Sequence, residues 1–337
     1  MRDRQILEKI CKEVDFSGVV LMKNNQEHVL QFTRGYANRA DELKNSLQTK
    51  FGIASGCKLF TAIAICQLVE KGQLTFNTKL QDCLHTDFPH FAEDITIHHL
   101  LTHTSGISDY FDETVMDDFE DLWKETAMYN MRNLKDFLPL FHHHKMMFQP
   151  GDRFHYNNAG FIVLGLIIEQ LTGVTFTEYV EANIFAPCGM EDSGYFSLDQ
   201  LPKNTAIGYI DHEDGSWKSN SYSIPIKGGA DGGAYITAED MTKCWNGLLQ
   251  HKLLSEKYTL KLLTPYVSNE DGDYYGYGIW IEKRNDVVYK YHVMGYDPGV
   301  CFHSAFYPSF GMTVVIPSNK SYGAYDITEV IEENYLS

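Results

Sequence analysis

The sequence predicts a mixed α/β (α+β) fold: an antiparallel sheet built from both ends of the chain, flanked by helices, with a helical lobe inserted between. Three observations predict it. Short β-prone runs occur near the N-terminus and return from about residue 275. The later runs are joined by three hairpin-like connections in succession, which describes an antiparallel meander. Between about residues 74 and 208 strand signals thin out, and helical or loop segments take over. We read these as a sheet lobe of about 1–73 and 209–337 carrying a helical lobe of about 74–208, together one domain over 1–337.

In chain order, Ile6, Leu7, Ile10 and Val14 fall on one stripe of a helix over 3–14. Segments 18–23 and 28–34 are β-prone, and Asn24-Asn25-Gln26-Glu27 between them is a hairpin signal. A polar connection leads to a short β-like run at 51–54. An apolar helix follows Ser55 and runs to about Glu70, where Lys71-Gly72 supplies the basic-then-glycine ending that helix C-termini prefer. Residues 95–106 read as a short helix closed by Thr, Ser and Gly. Residues 113–145 are acidic, rich in Met and His, and predicted helical. Gln149-Pro150-Gly151-Asp152 is a turn. Residues 159–171 form a buried helix closed by Thr172-Gly173, and 176–184 a further one. The final strands are 277–282, 287–294, 300–307 and 312–317, with connections at 283–286, 295–299 and 308–311. A helix over 324–335 ends the chain.

At 337 residues the chain can bury a large core. A formal net charge of −17 argues against nucleic acid and anionic membrane surfaces as partners, without excluding a basic pocket. The purest apolar run, 161–168, is far too short to span a membrane. The first residues show neither a signal-peptide apolar region nor a cleavage site. Seven cysteines, odd in number and without Cys-x-x-Cys pairing, fit reduced thiols in a cytoplasmic setting.

Chemistry concentrates in Phe51-Gly-Ile-Ala-Ser55-Gly-Cys-Lys58. Serine and lysine three residues apart on a helix share a face, so a hydroxyl sits beside its possible base. Backbone N–H groups at a helix start also point toward any anion formed there. The pattern alone is weak, since about one Ser-x-x-Lys arises by chance in a chain this long. Ser55 is the only serine with lysine three residues on. Two Tyr-x-Asn triplets could complete a proton relay: Tyr36-Ala-Asn38 and Tyr156-Asn-Asn158. Tyr156 and Asn158 could equally do no more than cap the helix they precede.

Taken in order, several stretches resemble the serine β-lactamase and penicillin-binding-protein superfamily, in its class C-like branch of D-amino-acid peptidases and carboxylesterases. They are Ser55-Gly-Cys-Lys58, the 95–106 segment, Gln149-Pro-Gly-Asp-Arg-Phe-His-Tyr156-Asn-Asn158, Asn183-Ile-Phe-Ala-Pro-Cys-Gly-Met190, Gly232-Gly-Ala-Tyr-Ile-Thr-Ala-Glu-Asp-Met241 and Tyr275-Gly-Tyr-Gly-Ile-Trp280. The resemblance implies a serine β-lactamase-like fold and an acyl-enzyme on Ser55. It implies Lys58 and Tyr156 as the proton relay, with Tyr156 activating the hydrolytic water. Asn158 would orient Lys58 and the substrate, and the N–H groups of Ser55 and Tyr296, the residue after Gly295, would hold the oxyanion. The order of motifs rejects Tyr36. No metal or organic cofactor is implied; the partner is a small molecule or short peptide.

The family's third motif is Lys-Thr-Gly or His-x-Gly. Anchoring on Gly295 and Pro298-Gly299 gives Val293-Met294-Gly295, without a cation. His292 is one residue early and would reach the cleft only through a β-bulge. Lys227-Gly-Gly229 also fits Lys-x-Gly, but precedes the Gly232 segment. A missing cation weakens recognition of a substrate carboxylate, which moves the expected substrate from β-lactams toward esters or small amides. A β-lactamase, a D-amino-acid peptidase and a non-catalytic binding relative are the alternatives.

Other candidates read as structural. His98, His99 and His103 include a zinc-compatible spacing but no His-Glu-x-x-His frame. The resemblance makes His103 a residue that ties down a loop. His142 to His144 form a solvated loop, and Ser105 is a turn residue. The acidic run 112–125 is most simply a solvated helix face. The absence of Gly-x-Ser-x-Gly argues against an α/β-hydrolase.

Overall fold

Apolar runs from both ends of the chain pair into one eight-stranded sheet. In the computed structural model, residues 2–24, 27–116, 118–269 and 272–336 are described, with side chains from residue 5. The strands are β1 (Gly18–Asn24), β2 (Glu27–Arg34), β3 (Val267–Ser268), β4 (Tyr274–Tyr275), β5 (Trp280–Arg284), β6 (Val287–Asp297), β7 (Val300–Tyr307) and β8 (Met312–Ser318). Their spatial order is β2-β1-β8-β7-β6-β5-β4-β3, and the neighbours are antiparallel. The β1–β8 pair joins the first strand to the last, with Gly18 opposite Ser318. The expected hairpin pairs Asn24 with Glu27, while Asn25 and Gln26 lie outside the described residues.

The sheet is covered on both faces. Helices α1 (Arg2–Glu13), α2 (Lys58–Glu70), α4 (Ala238–Leu249) and α5 (Ala324–Tyr335) provide most of the cover, and α3 (Asn158–Thr172) packs against α2. Leu7 and Cys11 of α1 and Ile327 and Ile331 of α5 pack with Val20, Met22, Ala305 and Val314 on one face. Val19, Leu21, Phe302 and Val315 point the other way, into the larger core with α2 and α4. A strand buried on both sides needs no polar alternation, which is why 18–22 reads as an unbroken apolar run. The same logic fits α2: every residue but Glu70 is buried, and the helix shows no polar stripe.

Three expectations change. The connection placed at 295–299 is shorter, because β6 stays on the ladder to Asp297, opposite Val300. Only Pro298-Gly299 turns, with Gly299 at φ +74. Among the described residues of 113–145 there is no long helix. They fold as turns and three 3₁₀ segments, Phe119–Trp123, Met128–Asn130 and Leu134–Leu140. Asp118 caps the first, and Pro139, which lacks an N–H, sits inside the last. A hairpin of Tyr209–Asp211 with Trp217–Ser219, together with α4 and a helix at Glu256–Leu262, occupies stretches where no element was predicted. All seven cysteines are unpaired. No single helix among the described residues is long and apolar enough to cross a membrane.

Candidate active site

The nucleophile candidate sits on a strained turn. Phe51–Gly52 pairs with Tyr235–Ile236, and the chain then passes through Ala54 at φ +44, a left-handed conformation unusual for alanine. Ala54–Cys57 is a 3₁₀ turn, and α2 begins only at Lys58. Ser55 therefore precedes the helix on which the sequence placed it. The facing survives, because residues three apart eclipse one another in a 3₁₀ turn. Two glycines let the sheet press against this turn. A Cβ on Gly56 would lie 2.6 Å from the Phe302 ring. One on Gly295 would lie 2.1 Å from the Ile53 carbonyl and 2.9 Å from the Ser55 nitrogen.

Lys58 is 2% exposed, and its amine sits among three oxygens. Nζ lies 2.9 Å from Ser55 Oγ, 2.7 Å from Asn158 Oδ1 and 2.7 Å from the Asp231 carbonyl oxygen. It also stands 4.9 Å from the centre of the Tyr156 ring. Burial lowers its pKa, and the Asp231 carboxylate opposes the shift. The Tyr156 hydroxyl hydrogen-bonds the Ser55 side chain, and burial holds its pKa well above the ordinary phenol value.

The turn that carries Tyr156 and Asn158 is fixed from behind. Asn157, between them, is the residue that caps α3: its Oδ1 accepts from Gly160 N at 2.7 Å. Its Nδ2 donates to the Ile107 carbonyl at 2.8 Å. The capping role thus falls to Asn157, which leaves both flanking side chains directed at Lys58 and Ser55. His103 accepts from Asn157 N through Nδ1 at 3.0 Å and bonds the Tyr275 hydroxyl through Nε2 at 3.1 Å. Its ring lies 4.4 Å from that of Tyr156. His98 bonds the Tyr277 hydroxyl, and His99 belongs to a capping box with Thr96. Among the described residues no group of three His, Cys, Asp or Glu side chains could hold a metal.

Sequence reasoning missed the carboxylates. Asp109 is buried against the start of α3, accepting from Asn158 N at 2.7 Å, Ala159 N at 2.9 Å and Asn158 Nδ2 at 3.1 Å. It thereby orients the amide that orients Lys58. Burial pushes its carboxyl up to about 7, against the pull of those N–H groups and of Lys58. Tyr110 donates to the Asp231 carboxylate. No spacing signals either contact, since each partner comes from a distant part of the chain.

The third-motif residues separate by face. Pairing of β6 with β7 is unbroken from Tyr291 to Asp297, so no bulge turns His292 inward. Val293 lies on the Gly295 face, 3% exposed in the larger core. His292 faces the other way, with ring centroids 6.5 Å from Trp280 and 5.2 Å from His303. Among the described residues its Nδ1 has no hydrogen-bond partner, and burial holds its pKa well below the ordinary histidine value.

A cavity of about 340 Å³ opens from Ser55 and Asn158, with Gly232 and Tyr296 on its wall. Among the described residues its acidic lining is Glu113, Asp118, Asp231 and Asp297, and no Lys, Arg or His lines it. Lys227, the alternative third-motif cation, is outside that lining. The run at 112–125 is thus not merely a solvated face, because Glu113, Met116, Asp118 and Phe119 form part of the wall.

A family model described as Beta-lactamase matches residues 4–331. The crystal structure of a penicillin-binding protein from Bacillus halodurans is 60% identical, with a TM-score of 0.94, covering 98% of this chain and all of that one. A Bacillus subtilis (strain 168) protein provisionally described as penicillin-binding protein PbpX is 31% identical over 318 residues, 93% of this chain and 72% of its own. An octameric penicillin-binding protein homologue from Pyrococcus abyssi is 26% identical with a TM-score of 0.85, covering 98% of this chain and 76% of that one.

Proposed function

The chain belongs to the Beta-lactamase family, a family of serine β-lactamase-like hydrolases, and from that premise we propose that it hydrolyses esters and small amides through an acyl-enzyme on Ser55. The observation that carries this reading is the buried Lys58 amine, 2.9 Å from Ser55 Oγ and held by Asn158 Oδ1 and the Asp231 carbonyl. Any buried amine needs acceptors for its N–H groups; what points to a base is that one of them here is the Ser55 hydroxyl.

Ser55 Oγ attacks the substrate carbonyl, and its proton passes to Lys58, whose lowered pKa suits a base. The oxyanion rests on the N–H groups of Ser55 and Tyr296. The acyl–heteroatom bond breaks, and the leaving group takes the proton from Lys58 through the Tyr156 hydroxyl. Water then attacks the acyl-enzyme, gives one proton to Lys58, and releases the acid as Ser55 is reprotonated. Because burial raises the Tyr156 pKa and lowers that of Lys58, Lys58 is the base in both halves and Tyr156 the shuttle. That reassigns the water-activating role expected of Tyr156. In this reading the stretch of about 74–208 is the lobe that supplies Tyr156 and Asn158, and the sheet lobe supplies Ser55, Lys58 and the oxyanion donors.

Esters are favoured over β-lactams because Val293 puts no cation at the third motif and, among the described residues, no cationic side chain lines the cavity. A β-lactam carboxylate meets four acidic side chains there. Short-chain p-nitrophenyl esters should exceed benzylpenicillin in kcat/KM by about tenfold or more, the scale of one lost charge-assisted hydrogen bond. A penicillin turned over as fast as the esters would reverse the assignment.

A further inference from the structure

We propose that the buried Tyr110–Asp231 pair is a positioning device for the reaction at Ser55: it fixes a negative charge beside Lys58 and so sets how firmly that amine holds its proton. This rests on the acyl-enzyme reading, in which Lys58 is the base, and names what controls that base.

The geometry carries the argument. Two adjacent residues, Asp109 and Tyr110, reach Lys58 by separate routes. Asp109 accepts from Asn158 N at 2.7 Å and from Asn158 Nδ2 at 3.1 Å, and Asn158 Oδ1 accepts from Lys58 Nζ at 2.7 Å. Tyr110 donates to the Asp231 carboxylate, and the Asp231 backbone carbonyl accepts from the same Nζ at 2.7 Å. The Tyr110 ring packs against Phe137 and Phe141, at centroid distances of 5.5 and 6.5 Å, which fixes where its hydroxyl points. Burial holds the Tyr110 pKa well above the ordinary phenol value, so that hydroxyl stays a donor.

Holding the amine by a backbone carbonyl needs no carboxylate, since any residue at 231 supplies the same oxygen. The carboxylate is an added cost, because Asp231 is 7% exposed and, among the described residues, no Lys, Arg or His forms an ion pair with it. Burial raises its pKa, and the Lys58 charge and the Tyr110 hydrogen bond pull it back. In return, Asp231 is the largest charge opposing the burial that lowers the Lys58 pKa. Asp109 and Glu113 act in the same sense with less effect, and Asp297 lies near enough to feel both Asp231 and Lys58. Burial keeps Cys57, Tyr156 and Tyr195, which also face the pair, protonated, and His103 neutral. A direct ion pair would draw an N–H of Lys58 away from Ser55. A charge set one step back leaves the amine 2.9 Å from Ser55 Oγ and still raises its basicity. A base works best when poised near the working pH, and burial alone weakens this one.

The test follows the Lys58 proton directly by NMR, on the full chain isotope-labelled at lysine Cε. The Lys58 resonance is the one missing from Lys58→Met. Its titration midpoint should fall by about one pH unit or more in Asp231→Asn, which keeps the side-chain shape. It should fall less in Tyr110→Phe, where the carboxylate loses the bond that favours its ionised form. The double variant should match Asp231→Asn, because Tyr110 acts through Asp231. The acidic limb of kcat/KM for a p-nitrophenyl ester should move to lower pH with the midpoint, whereas a merely structural defect lowers the plateau and leaves the limb in place. An unchanged or higher midpoint in Asp231→Asn overturns the inference, as does one that stays put in Tyr110→Phe or falls further in the double variant. If Asp231→Asn does not fold, Tyr110→Phe decides alone. A midpoint that falls while the limb stays in place means that Lys58 is not the base, so the acyl-enzyme reading fails and the pairing stands.

Discussion

An amine buried as deeply as that of Lys58 costs free energy unless its N–H groups are paired, and the three oxygens around it meet that demand. Removing the amine therefore removes both the base and the centre of a network. Lys58→Ala and Tyr156→Phe should each lower kcat/KM for a p-nitrophenyl ester by about 10²–10⁴, the range for lost proton transfer. The double variant should lose far less than the product, because the two groups serve one relay. Multiplicative losses in a kinetic double-mutant cycle would separate them into independent functions. His292 gives the matching negative expectation. It lies on the face of β6 away from Gly295, so His292→Ala should leave the kcat/KM ratio of carboxylate-bearing to neutral substrates within about twofold, where a lost charge-assisted bond costs about tenfold or more. A selective loss for carboxylate-bearing substrates would show that this histidine reaches the cleft.

At the scale of elements, the site depends on how closely β6 approaches the Ala54–Cys57 turn. Gly295→Ala places a methyl 2.1 Å from the Ile53 carbonyl. The turn must shift, and a displacement near 1 Å at a reacting centre costs about 100-fold. Ester turnover should fall by that order while the far-ultraviolet circular dichroism spectrum stays unchanged. A Gly295→Ala protein with full activity would mean the contact is slack. Asn157→Ala should cost about 1–2 kcal/mol in urea unfolding, since it removes the α3 cap. The elements themselves were largely legible. Apolar runs at 18–22 and 300–307 and the uninterrupted α2 and α3 mark strands and helices buried on every side. The stretch at 113–145 was misread because charge density imitates a solvated helix, whereas its Asp118 cap and Pro139 break it into short turns. Ser55, Lys58, Tyr156 and Asn158 stood out because their spacing is local. Asp109, Asp231 and Asp297 did not, because an aspartate's role is set by what distant segments bury it against.

For the molecule as a whole, the buried carboxylates in and behind the site carry a stability cost that pH should reveal. Asp109 and Asp297 both have carboxyls pushed up to about 7. A carboxyl held above its unfolded value of about 4 binds its proton more tightly when folded, so its contribution to stability falls as pH rises from about 4 to about 7. Asp211, lowered to about 2 mainly by its bond to Arg39, acts in the opposite direction at lower pH. Comparing two chains that differ at one carboxyl cancels that background. Asp297→Asn should match the unmodified protein in Tm near pH 4, exceed it increasingly toward pH 7, and hold that gap above. A gap independent of pH would show that Asp297 does not titrate there. The role of Ser55 is tested most directly on the intact protein. Mass spectrometry after exposure to a fluorophosphonate should show one adduct per chain, located on the peptide containing Ser55 and absent from Ser55→Ala. A labelled Ser55→Ala chain that still hydrolyses p-nitrophenyl esters at the unmodified rate would place the nucleophile elsewhere.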